Sequence, residues 1–234
     1  MLPVSRFAKS VTAPIVMCLF LCVDFCAGQI ARADDLDAYS CGDLQNAYGP
    51  FDYADPVAKA DKLPIVETHH FTREVETLQR GLSSTVAGDL DYTLRAFPNH
   101  YRALWSVALL QLRNPNALKS YRSADCYFDR AIRWRPQDGN VRMIHGMYML
   151  KKGDLNAALA SFTLAVNLMP ENAEAHYNIG LLYVDMGKLD LAREHAQRAY
   201  ALGYPLPGLR NMLRKRGAWP EKTDASPPAV SQAR

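Results

Sequence analysis

Apolar residues between about Tyr101 and Tyr200 recur every three or four positions, the spacing of helices that bury one face. Gly, Asp and Pro punctuate this pattern at regular intervals. Set one above the other, segments 139–172 and 173–206 match at an offset of 34 residues. Gly146 falls on Gly180, Gly153 on Gly187, Leu155 on Leu189, Ala158 on Ala192, Ala165 on Ala199 and Leu168 on Leu202. Gly146 and Gly180 lie mid-helix, where glycine costs about 1 kcal/mol relative to alanine, so a neighbouring helix is expected to pass very close to each. Ala158 and Ala192 are the small partners on the second helix. Gly153 and Gly187 end the first helix, and Asp154 caps the next with its carboxylate.

The register extends backwards. Ala124, Phe128, Ala131 and Pro136 lie 34 residues before Ala158, Phe162, Ala165 and Pro170. Pro136 and Pro170 stop each second helix. Pro98 is the same punctuation one unit earlier, 38 residues before Pro136, with the extra length in the turn-rich Asn114-Pro115-Asn116-Ala117. His176, Ile179-Gly180, Tyr183, Gly187, Ala192, Ala196 and Ala199 together resemble the tetratricopeptide repeat. His176 stands where that family has a large aromatic, and Ala196 where its second helix has one. The unit ending at Pro170 has His145 and Met149 where Leu and Tyr are usual, and the unit before it has Ala108 at the glycine position. The resemblance implies an all-α, right-handed superhelical stack with repeats at 99–136, 137–170 and 171–204.

A stack must cover its apolar end. Leu209, Met212 and Leu213 recur at helical spacing, with Arg210, Arg214 and Lys215 on the other side, so 205–217 is read as a capping helix. Residues 218–234, with Pro227-Pro228 and no apolar run, read as a disordered tail. Upstream, Thr72 to Arg80 and Asp89 to Phe97 read as short helices, making 71–98 a helical hairpin or a degenerate repeat. Gly88-Asp89 has the cap chemistry of Gly153-Asp154. Residues 34–70 read as a non-regular segment. Within it, 34–63, with the aromatic-rich Gly49 to Tyr53, is expected to lie on the stack.

In the family that this chain resembles, the first helix of each unit lines an inner groove. The register then assigns Trp105, Leu109 and Leu112, Met143, Met147 and Leu150, and Tyr177, Leu181 and Val184 to that wall. Arg102, Asn140, Lys151, Glu174 and Asp185 flank it. Family members that hold a peptide's terminal carboxylate use Lys, Arg and Asn here, an arrangement largely missing from this chain. An apolar groove suits an amphipathic helix or a hydrophobic segment of another protein. The alternative is a groove filled by residues 34–63.

Composition narrows the function classes. The 234 residues are 49% apolar, enough for a real core. With 27 Lys+Arg against 24 Asp+Glu there is no basic field for a nucleic-acid partner. Residues 1–33 differ in kind: Arg6 and Lys9, then an uncharged stretch from Ser10 to Val23, then Ala31-Arg32-Ala33. This is the layout of a secretory signal peptide cut after Ala33, with Gly28 as a second possible cut and a retained N-terminal membrane anchor as the alternative. The apolar run is 14 residues, short of a bilayer span, so no stable span is expected after cleavage. Cleavage leaves Cys41 and Cys126, which can pair in an oxidising compartment.

Enzyme signals are poor: no phosphate loop, nucleophile elbow or paired metal motif is present, and no cofactor is implied. Glu67, His69, His70 and Glu74 are metal-type ligands, but adjacent histidines on a helix point apart. His145 and His176 read as packing substitutions and His195 as a surface residue. The expectation is a non-enzymatic, exported adaptor or scaffold, by analogy with repeat proteins of the bacterial envelope. Its alternatives are a structural subunit of an envelope complex and, less well supported, a metal or enzymatic role around His69 and His70.

Overall fold

The computed structural model describes residues 41–220, and these are all-helical, with eleven helices. The first four are α1 (Pro56–Asp61), α2 (Leu63–His70), α3 (Arg73–Glu76) and α4 (Val86–Ala96). Three helix pairs follow: α5 (Tyr101–Arg113) with α6 (Ala124–Trp134), α7 (Gly139–Lys152) with α8 (Leu155–Leu168), and α9 (Ala173–Asp185) with α10 (Leu189–Ala201). The chain then forms α11 (Gly208–Lys215). The first helices α5, α7 and α9 touch in sequence, and each second helix packs on the first helix of the next pair. Such nearest-neighbour packing is what a 34-residue repeat produces.

Local chemistry sets the boundaries. Asp138, Asp154 and Asn172 each turn a side-chain oxygen onto the first backbone N–H groups of α7, α8 and α9. Gly153 ends α7 at φ 84°, a conformation costly for any residue with a Cβ. One continuous core runs from Phe71 to Leu182 through Leu104, Phe128, Tyr148 and Phe162. A second core, around Ala192, Ala196, Ala199, Leu209 and Leu213, joins α10 to the capping helix α11.

Several expectations need correction. Residues 34–70 are not all non-regular, since α1 and α2 occupy 56–61 and 63–70. Asp55 caps α1 and a proline opens each helix, but six and eight residues are too short to display a helical period. The helix expected from Thr72 to Arg80 stops at Glu76, because Leu78 takes φ 63° and Gln79 N–H returns to the Glu74 carbonyl. Even so, α3 packs on both α4 and α5, the contacts of a truncated first helix. Helix α4 begins earlier than Asp89: Thr85 is its cap, and Asp89 is buried inside it, accepting from Leu82, Ser83 and Ser84 N–H. The expected capping helix over 205–217 is shorter, and Ala218 and Trp219 pack on its core rather than opening a free tail. The disordered tail expected from 221 and the signal peptide expected over 1–33 lie outside the described residues.

Residues 41–55 cross the outer side of α4 and α6. Cys41 and Cys126 are joined by a disulfide, S–S 2.10 Å. Arg122 Nε donates to the Cys41 carbonyl at 3.1 Å, Arg133 Nη2 to the Gly42 carbonyl at 2.9 Å and Arg130 Nη1 to the Asp43 carbonyl. Arg130 is buried, and burial first, then the neighbouring Arg122 and Arg133, push its pKa down. Further along, Phe51 N–H bonds the Ala96 carbonyl at 2.8 Å, and Tyr53 N–H bonds buried Asn99 Oδ1 at 2.9 Å. Tyr53 also packs over His100, ring centroids 4.3 Å apart.

Candidate protein-binding groove

Helices α5 and α7 run side by side, and their i, i+4 positions face a common furrow. Trp105 and Leu109 from α5 and Met143, Ile144 and Met147 from α7 form its floor, around about 350 Å³ of open space. Tyr101, Arg102 and Ser106 stand on one side, Asn140 and Glu174 on the other, and Glu76 of α3 closes one end. Lys151 Nζ lies 5.9 Å over the Trp105 ring.

Of the nine residues assigned to the wall, Trp105, Leu109, Met143 and Met147 line this furrow. Leu112 and Leu150 are partly buried against the main core. Tyr177, Leu181 and Val184 belong instead to the core under α11, and Tyr177 stacks on Tyr204 at 4.1 Å. The capping helix occupies the place that a fourth repeat would take, so the third repeat's wall is covered. None of the described residues 41–63 lines the furrow. The described part of the expected filling segment starts instead on α6, held by its arginines and the Cys41–Cys126 bond. Glu76, Tyr101, Ser106 and Ile144 were missed. The last three adjoin assigned positions, whereas Glu76 reaches the furrow only because α3 ends early.

The polar edge is dominated by one cation. Arg102 Nε donates to Glu76 Oε1 at 2.7 Å, its Nη2 to Glu76 Oε2, and its Nη1 lies 3.4 Å from Glu67 Oε1. The hydrogen bonds that Arg102 donates to Glu76 raise the Arg102 pKa further, and Arg102 in turn holds the Glu76 carboxyl below its usual range. The Glu67 carboxyl is lowered first by His100, whose Nε2 lies 3.1 Å away. His100 Nδ1 accepts from Ala103 N–H, so its Nε2 carries the proton, and burial lowers its pKa.

The sequence-level metal candidates do not converge. Glu67 faces His100 and Arg102, His70 Nδ1 meets Asp89 at 3.0 Å, and His69 is exposed. Among the described residues no group of three or more His, Cys, Asp or Glu could hold a metal ion. His195, expected at the surface, is partly buried, its Nδ1 3.0 Å from His176 Nδ1. His176 Nε2–H donates to the Pro170 carbonyl, which leaves Nδ1 to accept from His195. A larger cavity of about 480 Å³ lies at the repeat edge around Tyr101, Trp134 and Asp138. Its carboxylates are already taken. Asp138 accepts from Asn140 N–H, Val141 N–H and Asn99 Nδ2, and Asp52 from Ala54 N–H and Arg135 Nε.

Residues 149–194, from the end of α7 through α8 and α9 into α10, match the family model described as TPR repeat. Over those residues the chain carries the tetratricopeptide repeat. Among the solved structures that resemble the chain are two MamA structures. "MamA RS-1 ArsTM double mutant" is 19% identical with a TM-score of 0.44, over 62% of this chain and 78% of that one. "MamA MSR-1 C2" is 20% identical with a TM-score of 0.40, over 62% and 79%. No curated protein matches the chain. Tetratricopeptide repeats are interaction modules, which supports a role in binding protein. No described helix is long and apolar enough to cross a membrane.

Proposed function

We propose that this tetratricopeptide-repeat protein is an exported adaptor, not an enzyme, and that its α5–α7 furrow receives a segment of another protein. The observation that carries the reading is the furrow itself. Trp105, Leu109 and Met147 are only partly buried on a concave wall, where no described residue of 41–63 covers them. Apolar residues left open between helices are the physical basis of helix-in-groove recognition. Export is supported by the layout of residues 1–33 and by the Cys41–Cys126 disulfide, a bond that persists in oxidising compartments.

The test is affinity capture of the C-terminally tagged chain from its own cells, beside the folded double variant Trp105→Ala/Met147→Glu. A partner retained by the first and lost by the second supports the furrow as the contact surface. The same partner on both, or none on either, overturns it. N-terminal sequencing of the recovered chain tests export: Asp34 as the first residue supports it, and an intact Met1 in the cytosol overturns it.

A further inference from the structure

The furrow's two ends differ in charge. At the end where α5, α7 and α9 begin, Arg102 pairs with Glu67 and Glu76, and Glu174 lines the same furrow. That guanidinium is held by both Glu67 and Glu76, so it is engaged and not free to receive an acidic partner. Glu174 is exposed at the first turn of α9 and has no ion pair among the described residues. Lys151 lies along α7 at the other end of Trp105, eleven residues from Asn140. Lys151 Nζ is placed on the Trp105 ring and makes no ion pair with Glu174 among the described residues.

The floor between these ends is adaptable. Met143 and Met147 face Trp105 and Leu109. Unbranched thioethers re-pack around varied apolar side chains, which suits a groove that accepts a helix. The geometry points to a partner segment that is a basic amphipathic helix, its apolar face on Trp105, Leu109, Met143 and Met147 and a Lys or Arg beside Glu174. This rests on the furrow being the binding surface. Charge complementarity selects the occupant: a carboxylate-bearing segment would meet the exposed Glu174, unpaired among the described residues, while the Arg102 guanidinium is already engaged by Glu76.

The test uses two fluorescein-labelled synthetic helical peptides with the same leucine face, one with lysine and one with glutamate on its polar face. Each is titrated by anisotropy against the full oxidised chain and against Glu174→Lys, Met147→Glu and Leu109→Ala. The lysine peptide is expected to bind about tenfold more tightly at low salt, a preference that shrinks as salt rises. Glu174→Lys removes most of that preference, while Met147→Glu and Leu109→Ala weaken both peptides. Equal affinities, or a preference for the glutamate peptide, overturn the charge assignment. If both apolar variants still weaken binding in that case, the furrow stands. Binding untouched by either apolar variant, or no binding of either peptide, overturns the furrow reading and this inference with it.

Discussion

Gly146 of α7 lies against the ring of Phe162 of α8 so closely that a Cβ at 146 would stand 2.6 Å from Phe162 Cδ1. A buried ring cannot yield without disturbing its neighbours. Alanine is the better helix former by about 1 kcal/mol, and overpacking costs about 1–3 kcal/mol, so the two oppose each other. Gly146→Ala is expected to destabilise the fold by about 1–2 kcal/mol in urea unfolding. At the equivalent Gly180 a Cβ would stand 2.6 Å from Leu209 Cδ2, the far end of a flexible side chain on α11. Gly180→Ala is expected to be close to neutral. Equal losses at both sites would show that ring rigidity does not set the cost.

The Cys41–Cys126 bond closes a loop with a sequence separation of 85 residues. In the chain-entropy model a cross-link of that span stabilises by about 4–5 kcal/mol. Cys126→Ser, or reductant, is expected to lower unfolding stability by an amount of that order. In protein beginning at Asp34, which holds Cys41 and Cys126 as its only cysteines, thiol labelling of the unfolded, unreduced chain is expected to find no free thiol. Two labelled thiols would remove the bond from the account.

Asp89 is buried and gathers Leu82 N–H at 2.6 Å, Ser83 N–H at 3.2 Å and His70 Nδ1 at 3.0 Å. An amide at this position keeps one acceptor and presents N–H where donors already point. Asp89→Asn is expected to cost about 2–4 kcal/mol, because charged hydrogen bonds are lost and buried donors stay unpaired. Limited proteolysis is expected to cut first within 82–85. Unchanged stability and unchanged cleavage would contradict the role given to this carboxylate.

His145 Nδ1 lies 2.8 Å from Ser161 Oγ, and burial lowers its pKa from 6.5 to about 4. The fold therefore disfavours the imidazolium. Its contribution to stability is complete above pH 6.5 and is lost as pH falls toward 4, up to about 3 kcal/mol. His195, lowered by burial and by His176, and His100, lowered by burial, act in the same direction. Urea unfolding is expected to weaken across that window, and His145→Leu to flatten the dependence. An identical slope in the variant would rule His145 out as a contributor.

What could be read in advance followed the range of the interaction. The repeats were legible because their signals are local: Gly153 and Asp154 decide a turn through their own backbone and side chain, and Gly146 with Ala158 marks a helix contact within one unit. Helices α1 and α2 were not legible, being too short for a period. Leu78, a non-glycine residue at positive φ, ends α3 with no signal in its type. Half of the furrow was visible as Trp105, Leu109, Met143 and Met147. Tyr177, Leu181 and Val184 carry the same pattern, yet they are covered, because periodicity marks an apolar face without saying which neighbour takes it.

By itself the sequence determined an all-helical repeat with a 34-residue period, its caps and its close helix contacts, since these rest on residues a few turns apart. Only the tertiary structure decided where residues 41–55 lie. Arg122, Arg130 and Arg133 hold backbone carbonyls more than 80 residues away, and any residue supplies a carbonyl. Only the tertiary structure, too, left the α5–α7 furrow open while α11 closed the wall of the third repeat. An apolar stripe is free to bury against any complementary surface, and folding determines which surface arrives.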